Sequence, residues 1–453
     1  MGLYPTKLII RLCLCLFLLA VLPAHALERS YWVWQRSAPL TEAESAELRH
    51  QSVSLLYWHV ATVDESGVAL AHTRDAAALA PGFRVIPVVR VETPALPDRE
   101  TFLKLARFAA DGALQLDFDV PDRRLGEYAA LLAALREKVP HLTITALAHW
   151  PRVKDFPALA RSVEELCPMF YDLQRDPTGV SAENPPPPIL DAVQVAKYLE
   201  GWKTCPTRWR AGLPTFTRVT IFDETGLSRG QIPSWEWDEV AFNSHLHTLV
   251  PTRLGVTLLR ADAPVTVARR PVEAGQLLAV RTIDPVVFAT CVKASEEAGA
   301  AGLVFYRLPG RESDATGSLR GLRGEPQAQP RLTLKRVGDS LVLQNEGAAD
   351  LPPRLSGERH DRDRGYALEI DAPAAVFREA APGAFFRVGA HTDPDRKPVP
   401  AAVSAATRLT FWFSHLDAGA ELRSGLFQLA PATAPGVLRW RVTGGEWQPI
   451  PAP

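Results

Sequence analysis

A surplus of charge of one sign is missing from this chain. Its 50 basic residues meet 51 acidic ones for a formal charge of −1, with no basic run. That excludes the clustered positive surface a nucleic-acid partner requires. Cysteine is scarce, five in 453 residues, and none has zinc-ligand spacing. His245-x-His247 stands alone and reads as a surface loop pair, so no metal is expected. A phosphate loop, a nucleotide fingerprint and a nucleophile elbow are also absent, so no cofactor is implied. No internal repeat or heptad occurs.

Long apolar runs are lacking except near the N-terminus. Lys7 and Arg11 precede the run from Leu12 to Leu22, followed by Pro23 and Ala24-His25-Ala26. A basic start, a short apolar centre and an A-x-A end predict a signal peptide over 1–26, cleaved near Ala26. The run is too short to span hydrocarbon comfortably. The expected protein is exported, periplasmic or secreted, with no membrane span after cleavage. Cys13 and Cys15 leave with the leader, and Cys167, Cys205 and Cys291 stay. An oxidising compartment permits one disulfide and one free thiol. Cys167 and Cys205 precede consecutive predicted strands, and whether they bridge stays open.

What is present is alternation of strands and helices. Strand patterns cover Tyr31 to Gln35, Val53 to Val60, Arg84 to Glu92, Leu114 to Val120, Leu142 to His149, Cys167 to Asp172, Arg208 to Pro214 and Gly302 to Leu308. Helical periodicity runs between them, including a start at Leu40 with Thr41 as N-cap, and Arg99–Ala110, Arg124–Val139, Phe156–Leu166, Ala192–Trp202 and Pro285–Ala298. Eight such units predict a (β/α)8 TIM-like barrel over 27–312, α/β in class. A long insertion, Thr215 to about Ile283, carries β-rich runs near Gly255–Leu259 and Leu277–Val280. A linker over 313–330 leads to short strands and turns without helix, predicting a small all-β, sandwich-like accessory domain over 331–453.

The sharpest chemical signal lies in Leu114-Gln115-Leu116-Asp117-Phe118-Asp119-Val120-Pro121. Period-2 alternation puts Gln115, Asp117 and Asp119 on one face, which in a barrel points inward. Buried carboxylates are costly unless used or paired. Two readings stand: a functional pair at the barrel mouth, or an ion network anchored by Arg36, Arg90 or Arg307. Gln115 reads as a lower-layer hydrogen-bonding residue. His59 and His149 near strand ends read as mouth residues or as structural histidines. Trp58, Trp150, Trp235 and Trp237 are candidate sugar-stacking faces. For Trp235 and Trp237 the alternative is a small core of the insertion's own, and Trp32 and Trp34 are expected in the core.

Gly112…Leu116-Asp117-Phe118-Asp119, then Met169-Phe170-Tyr171-Asp172, then Gly212-Leu213-Pro214-Thr215 resembles the landmark order of family 18 chitinase-like glycoside hydrolases. Together with Trp32-Val33-Trp34-Gln35-Arg36, the barrel also resembles a catalogued secreted bacterial family, domain of unknown function 3142. The resemblance spans roughly Tyr31 to Leu308. It implies Asp119 as acid/base, Asp117 as the neighbour that sets its pKa, and Asp172 with Tyr171 orienting a sugar. The position of the family's catalytic Glu is Pro121, and that of its first Asp is Leu114. Asp122, one residue late, is an alternative acid; hydrolysis also needs a second carboxyl, for which Asp172 is the first choice, with Glu92, Asp223 and Glu224 as alternatives. The functional expectations are therefore a carbohydrate-directed glycoside hydrolase-like protein, a non-catalytic carbohydrate-binding barrel, or an envelope interaction module. Assigned to substrate are Tyr171, Gln115, His59, His149, Trp150, Glu92, Trp235 and Trp237.

Overall fold

A computed structural model describes residues 27–65, 67–73, 75–309, 317–323, 328–356, 364–373, 376–392, 399–430 and 438–450. The expected leader, 1–26, lies outside the described residues. So do parts of the expected linker.

Eight parallel strands form the main body: β1 (Glu28–Val33), β2 (Leu55–Asp64), β3 (Arg84–Val91), β4 (Ala113–Asp117), β5 (His141–Leu147), β6 (Glu165–Met169), β7 (Arg208–Pro214) and β8 (Gly302–Tyr306). Each pairs with the next, and β8 pairs with β1, so the sheet closes into a barrel. Around it run α1 (Glu42–His50), α2 (Ala76–Leu79), α3 (Arg99–Leu103), α4 (Leu125–Arg136), α5 (Phe156–Arg161) and α6 (Ala192–Trp202); α7 (Trp237–Ala241) belongs to the insertion, and α8 (Pro285–Glu297) precedes β8. Thr41 caps α1 in a capping box with Glu44. Asp284 caps α8, with Pro285 in its first turn.

The predicted alternation in β4 is realised on both faces. Leu114, Leu116, Phe118 and Val120 are buried on the helix side, where Phe118 meets Tyr128 of α4 edge to face at 5.7 Å. Leu125, Tyr128, Leu132 and Leu135 form the buried stripe of α4; each such side chain contributes about 1.5–3 kcal/mol. Inside the barrel, Trp32, Tyr57, Val88, Cys167 and Val304 make a second core. Its lower end holds an ion cluster: Glu165 accepts from Tyr57 at 2.8 Å, Arg208 at 2.7 Å and Arg210 at 2.8 Å.

Two local expectations change and one open question closes. The helix predicted to Leu166 ends at Arg161, because Glu165 already pairs with Thr143 as β6 begins. Cys167 and Cys205 are not bridged; all three described cysteines are free. Cys167 faces the barrel interior, 3.4 Å from the Gln115 amide, whereas Cys205 follows α6 on the helix side. Part of the expected linker, 317–323, is tied to α1 rather than spanning space. Leu319 accepts from Gln51 at 2.5 Å, Arg323 pairs with Glu47 at 2.6 Å, and Arg29 donates to the Arg323 carbonyl at 2.6 Å.

The insertion is far more ordered than two β-rich runs. Strands 218–222, 228–232, 246–253, 256–261 and 277–281 form a five-stranded antiparallel sheet, with a further hairpin at 265–267 and 270–272. Beyond the barrel, antiparallel sheets enclose a separate core of Leu341, Leu343, Leu368, Ile370, Leu409, Phe411 and Trp440. No helix among the described residues is long and apolar enough to cross a membrane.

Candidate active site

Parallel strands place all their carboxyl ends at one mouth, and there the barrel opens into a cavity of about 500 Å³. Register decides what meets what. Arg90 of β3 lies opposite Asp117 of β4, and Gln115 opposite Thr143 of β5, so Arg90, Asp117 and Thr145 all point inward at neighbouring heights. Arg90 Nη1 donates to Asp117 Oδ2 at 2.7 Å, and Thr145 Oγ1 donates to Asp117 Oδ1 at 2.8 Å. Arg90 Nη2 also reaches Asp119 at 3.4 Å, and Arg90 Nε reaches Glu92 at 3.5 Å. Arg90 is thus the anchoring arginine, and Asp117, 5% exposed, is fully engaged.

Asp119 differs. Its side chain is 45% exposed at the cavity. Desolvation by the surrounding wall, then the negative charge of Asp117, push its carboxyl above the ordinary range, while Arg90 pulls the other way. The balance favours the protonated form more than for a free aspartate, which suits proton donation.

Tyr171 and Asp172 follow β6 into the same cavity. Asp172 adopts φ +53°, a left-handed conformation that aspartate tolerates better than most residues. Its two carboxylate oxygens are gripped by Arg218 at 2.7 and 2.6 Å, and Arg218 comes from the first strand of the insertion. Burial and nearby negative charge raise the Tyr171 phenol well above its usual range, so it keeps its proton and can donate. Its ring stacks on Tyr306 at 5.8 Å and 17°. His149 lines the rim, paired with Asp122 at 2.8 Å.

Of the residues assigned from sequence, Asp117, Asp119, Asp172, Tyr171, Glu92 and His149 come together. Five do not line the cavity. Gln115 lies below it and accepts from Trp32 Nε1 at 2.6 Å, the lower-layer role expected of it. His59 is buried beneath Trp34, ring on ring at 4.0 Å and 12°. Trp150 is wholly buried among the surrounding helices. Trp235 and Trp237 are 4% and 8% exposed and pack edge to face at 4.4 Å in the insertion's own core. Pro121 opens the turn ahead of α4 and carries no proton to give.

The sequence reading missed Trp34, Thr145, Tyr198, Tyr306 and Arg218. Trp34 is expected in the core but supplies a flat wall of the cavity, with Tyr306 packed edge to face against it at 5.6 Å. The signal was available in the period-2 spacing, since Trp34 is the next inward position after Trp32. Arg218 had no sequence signal, because its reach depends on how the insertion folds back.

No family model matches the chain, and no curated protein matches it. Solved structures similar to it include the C-terminal domain of a putative chitinase from Desulfitobacterium hafniense, at 14% identity and TM-score 0.44, covering 62% of this chain and 93% of that one. A chitinase from Chromobacterium violaceum has 14% identity and TM-score 0.44 over 64% of this chain and 96% of its own. A family 18 N-acetylglucosaminidase from Paenibacillus barengoltzii has 14% identity and TM-score 0.39 over 62% and 95%. These likenesses assign no residue a role.

Proposed function

We propose that the chain is an exported glycoside hydrolase-like barrel acting on an oligosaccharide or envelope polysaccharide. Export rests on the leader-like sequence of 1–26, and the β-rich region from 331 onward is read as an accessory domain. The observation that carries the activity is the arrangement at the mouth: an exposed Asp119 whose carboxyl is pushed above the ordinary range, beside an Asp117 engaged by Arg90 and Thr145. Trp34, Tyr171 and Tyr306 wall the same cavity, and flat aromatic faces suit pyranose rings. Asp119 is the proton donor in this reading. Asp117 sets its neighbour's electrostatics, and Tyr171 with Asp172 orients the sugar.

Pro121 favours a second reading, a carbohydrate-binding barrel that does not cleave. Purified protein and its Asp119→Asn variant, incubated with β-linked amino-sugar and neutral polysaccharides, separate the two. New reducing ends from the wild type, lost in the variant, are expected. Saturable binding without release would move the assignment to the second reading, and silence in both assays would remove both.

A further inference from the structure

Four carboxyl groups reach the cavity, and their surroundings divide them in two. Asp117 has both oxygens engaged by Arg90 and Thr145, and Asp172 has both engaged by Arg218. Neither is free to exchange a proton or a bond without breaking a close ion pair. Asp119 and Glu92 are 45% and 59% exposed, and each is held only by the longer contacts to Arg90, at 3.4 and 3.5 Å.

We propose that Glu92, and not Asp172, is the second catalytic carboxyl, working with Asp119 at the barrel mouth. This rests on the reading of the chain as a hydrolase. Arg90 brings the two together: it lies opposite Asp117 in the last pairing of β3 with β4, and its guanidinium reaches Asp119 through Nη2 and Glu92 through Nε. Both carboxylates contact that one planar group, so their contacting oxygens are at most roughly 9 Å apart, below the upper limit of the about 6.5–9.5 Å that an inverting pair uses.

The chemistry balances without a cofactor. Protonated Asp119 gives its proton to the glycosidic oxygen as the bond from the anomeric carbon breaks, and that bond's electron pair goes to the departing oxygen. A water oxygen bonds to the anomeric carbon while Glu92, as carboxylate, takes the water's proton. Glu92 is the more exposed of the two. Exchange with solvent then returns Glu92 to carboxylate and Asp119 to acid.

The test uses the full chain, its Glu92→Gln, Asp119→Asn and Asp172→Asn variants, and two probes: chito- and cello-oligosaccharides, and the matching 2,4-dinitrophenyl glycosides, whose leaving group needs no proton. Glu92→Gln is expected to lower turnover of both probes by at least about 100-fold, the scale of a lost general base. Sodium azide, which needs no deprotonation to attack, is expected to restore cleavage and yield the glycosyl azide. Asp119→Asn is expected to spare the dinitrophenyl probe, and Asp172→Asn to raise KM more than it lowers kcat. A Glu92→Gln variant within about threefold of wild type, or a loss that azide does not rescue, overturns the proposal while leaving the hydrolase reading standing. A wild type that cleaves neither probe removes both.

Discussion

The buried imidazole of His59 has been made to carry its ring without its charge. Burial first, then the neighbouring His72, lower its pKa from 6.5 to about 4. Its Nδ1 has no hydrogen-bond partner, while Nε2 lies 3.1 Å from the Ala61 carbonyl. A base with a depressed folded pKa costs stability in acid. As pH falls from about 6.5 towards 4, the unfolded chain takes up a proton that the native state refuses. The shift corresponds to about 3 kcal/mol of stability lost across that window. His59→Phe keeps a ring beneath Trp34 and removes the proton. Urea midpoints measured from pH 7 to 4 are expected to fall less steeply in the variant, and parallel profiles would refute the assignment. At this scale the sequence was legible for the acids and opaque for the aromatics. Asp117 and Asp119 announce themselves because carboxylates on an inward face are rare. Trp150, Trp235 and Trp237 look the same in sequence whether they wall a cavity or fill a core.

Barrel strands were legible because each is covered on both faces and reads as a dense apolar run between helical patterns. The insertion was not: its outer strand 246–253 alternates towards solvent, and 228–232 is mostly polar. Only its central strands show in the sequence, as Leu277–Arg281 does, wholly buried with neighbours on both sides. The consequence for the site was the hidden Arg218. Within the barrel, β7 shows how tightly elements are matched. A Cβ on Gly212 would lie 2.9 Å from the Pro168 carbonyl oxygen and 2.9 Å from the Trp32 ring. β6 cannot yield without breaking its pairing, so Trp32 has to move into the cavity. Gly212→Ala is expected to cost about 1–3 kcal/mol in thermal or urea unfolding, and an unchanged Tm would show that the ring moves freely.

Over the whole molecule, the insertion bridges the barrel and the C-terminal sheets. It sends Arg218 to Asp172 at one end. At the other, Phe242 stacks on Phe386 at 4.4 Å and Asn243 accepts from Arg364 at 2.9 Å. Leu355 goes further, because it belongs to the insertion's own apolar core. Removing everything after residue 330 would therefore unseat the insertion as well as the C-terminal sheets. Leu355→Ala is expected to lower stability by about 2–4 kcal/mol. Denaturant titration followed by the emission of Trp235 and Trp237 would check it, and a variant as stable as the wild type would show that the core closes without Leu355.

Barrel closure also sets a timetable. β1 is the earliest described strand, and its flanks are β2 and β8, with Glu28 beside Gly302. A ribosome delivers β2 almost at once but β8 only after the entire insertion. Until then β1 is a bare edge, holding Tyr31 and Trp32 against one neighbour instead of two, and open to another copy of the chain. The barrel therefore cannot close until residue 306 has emerged.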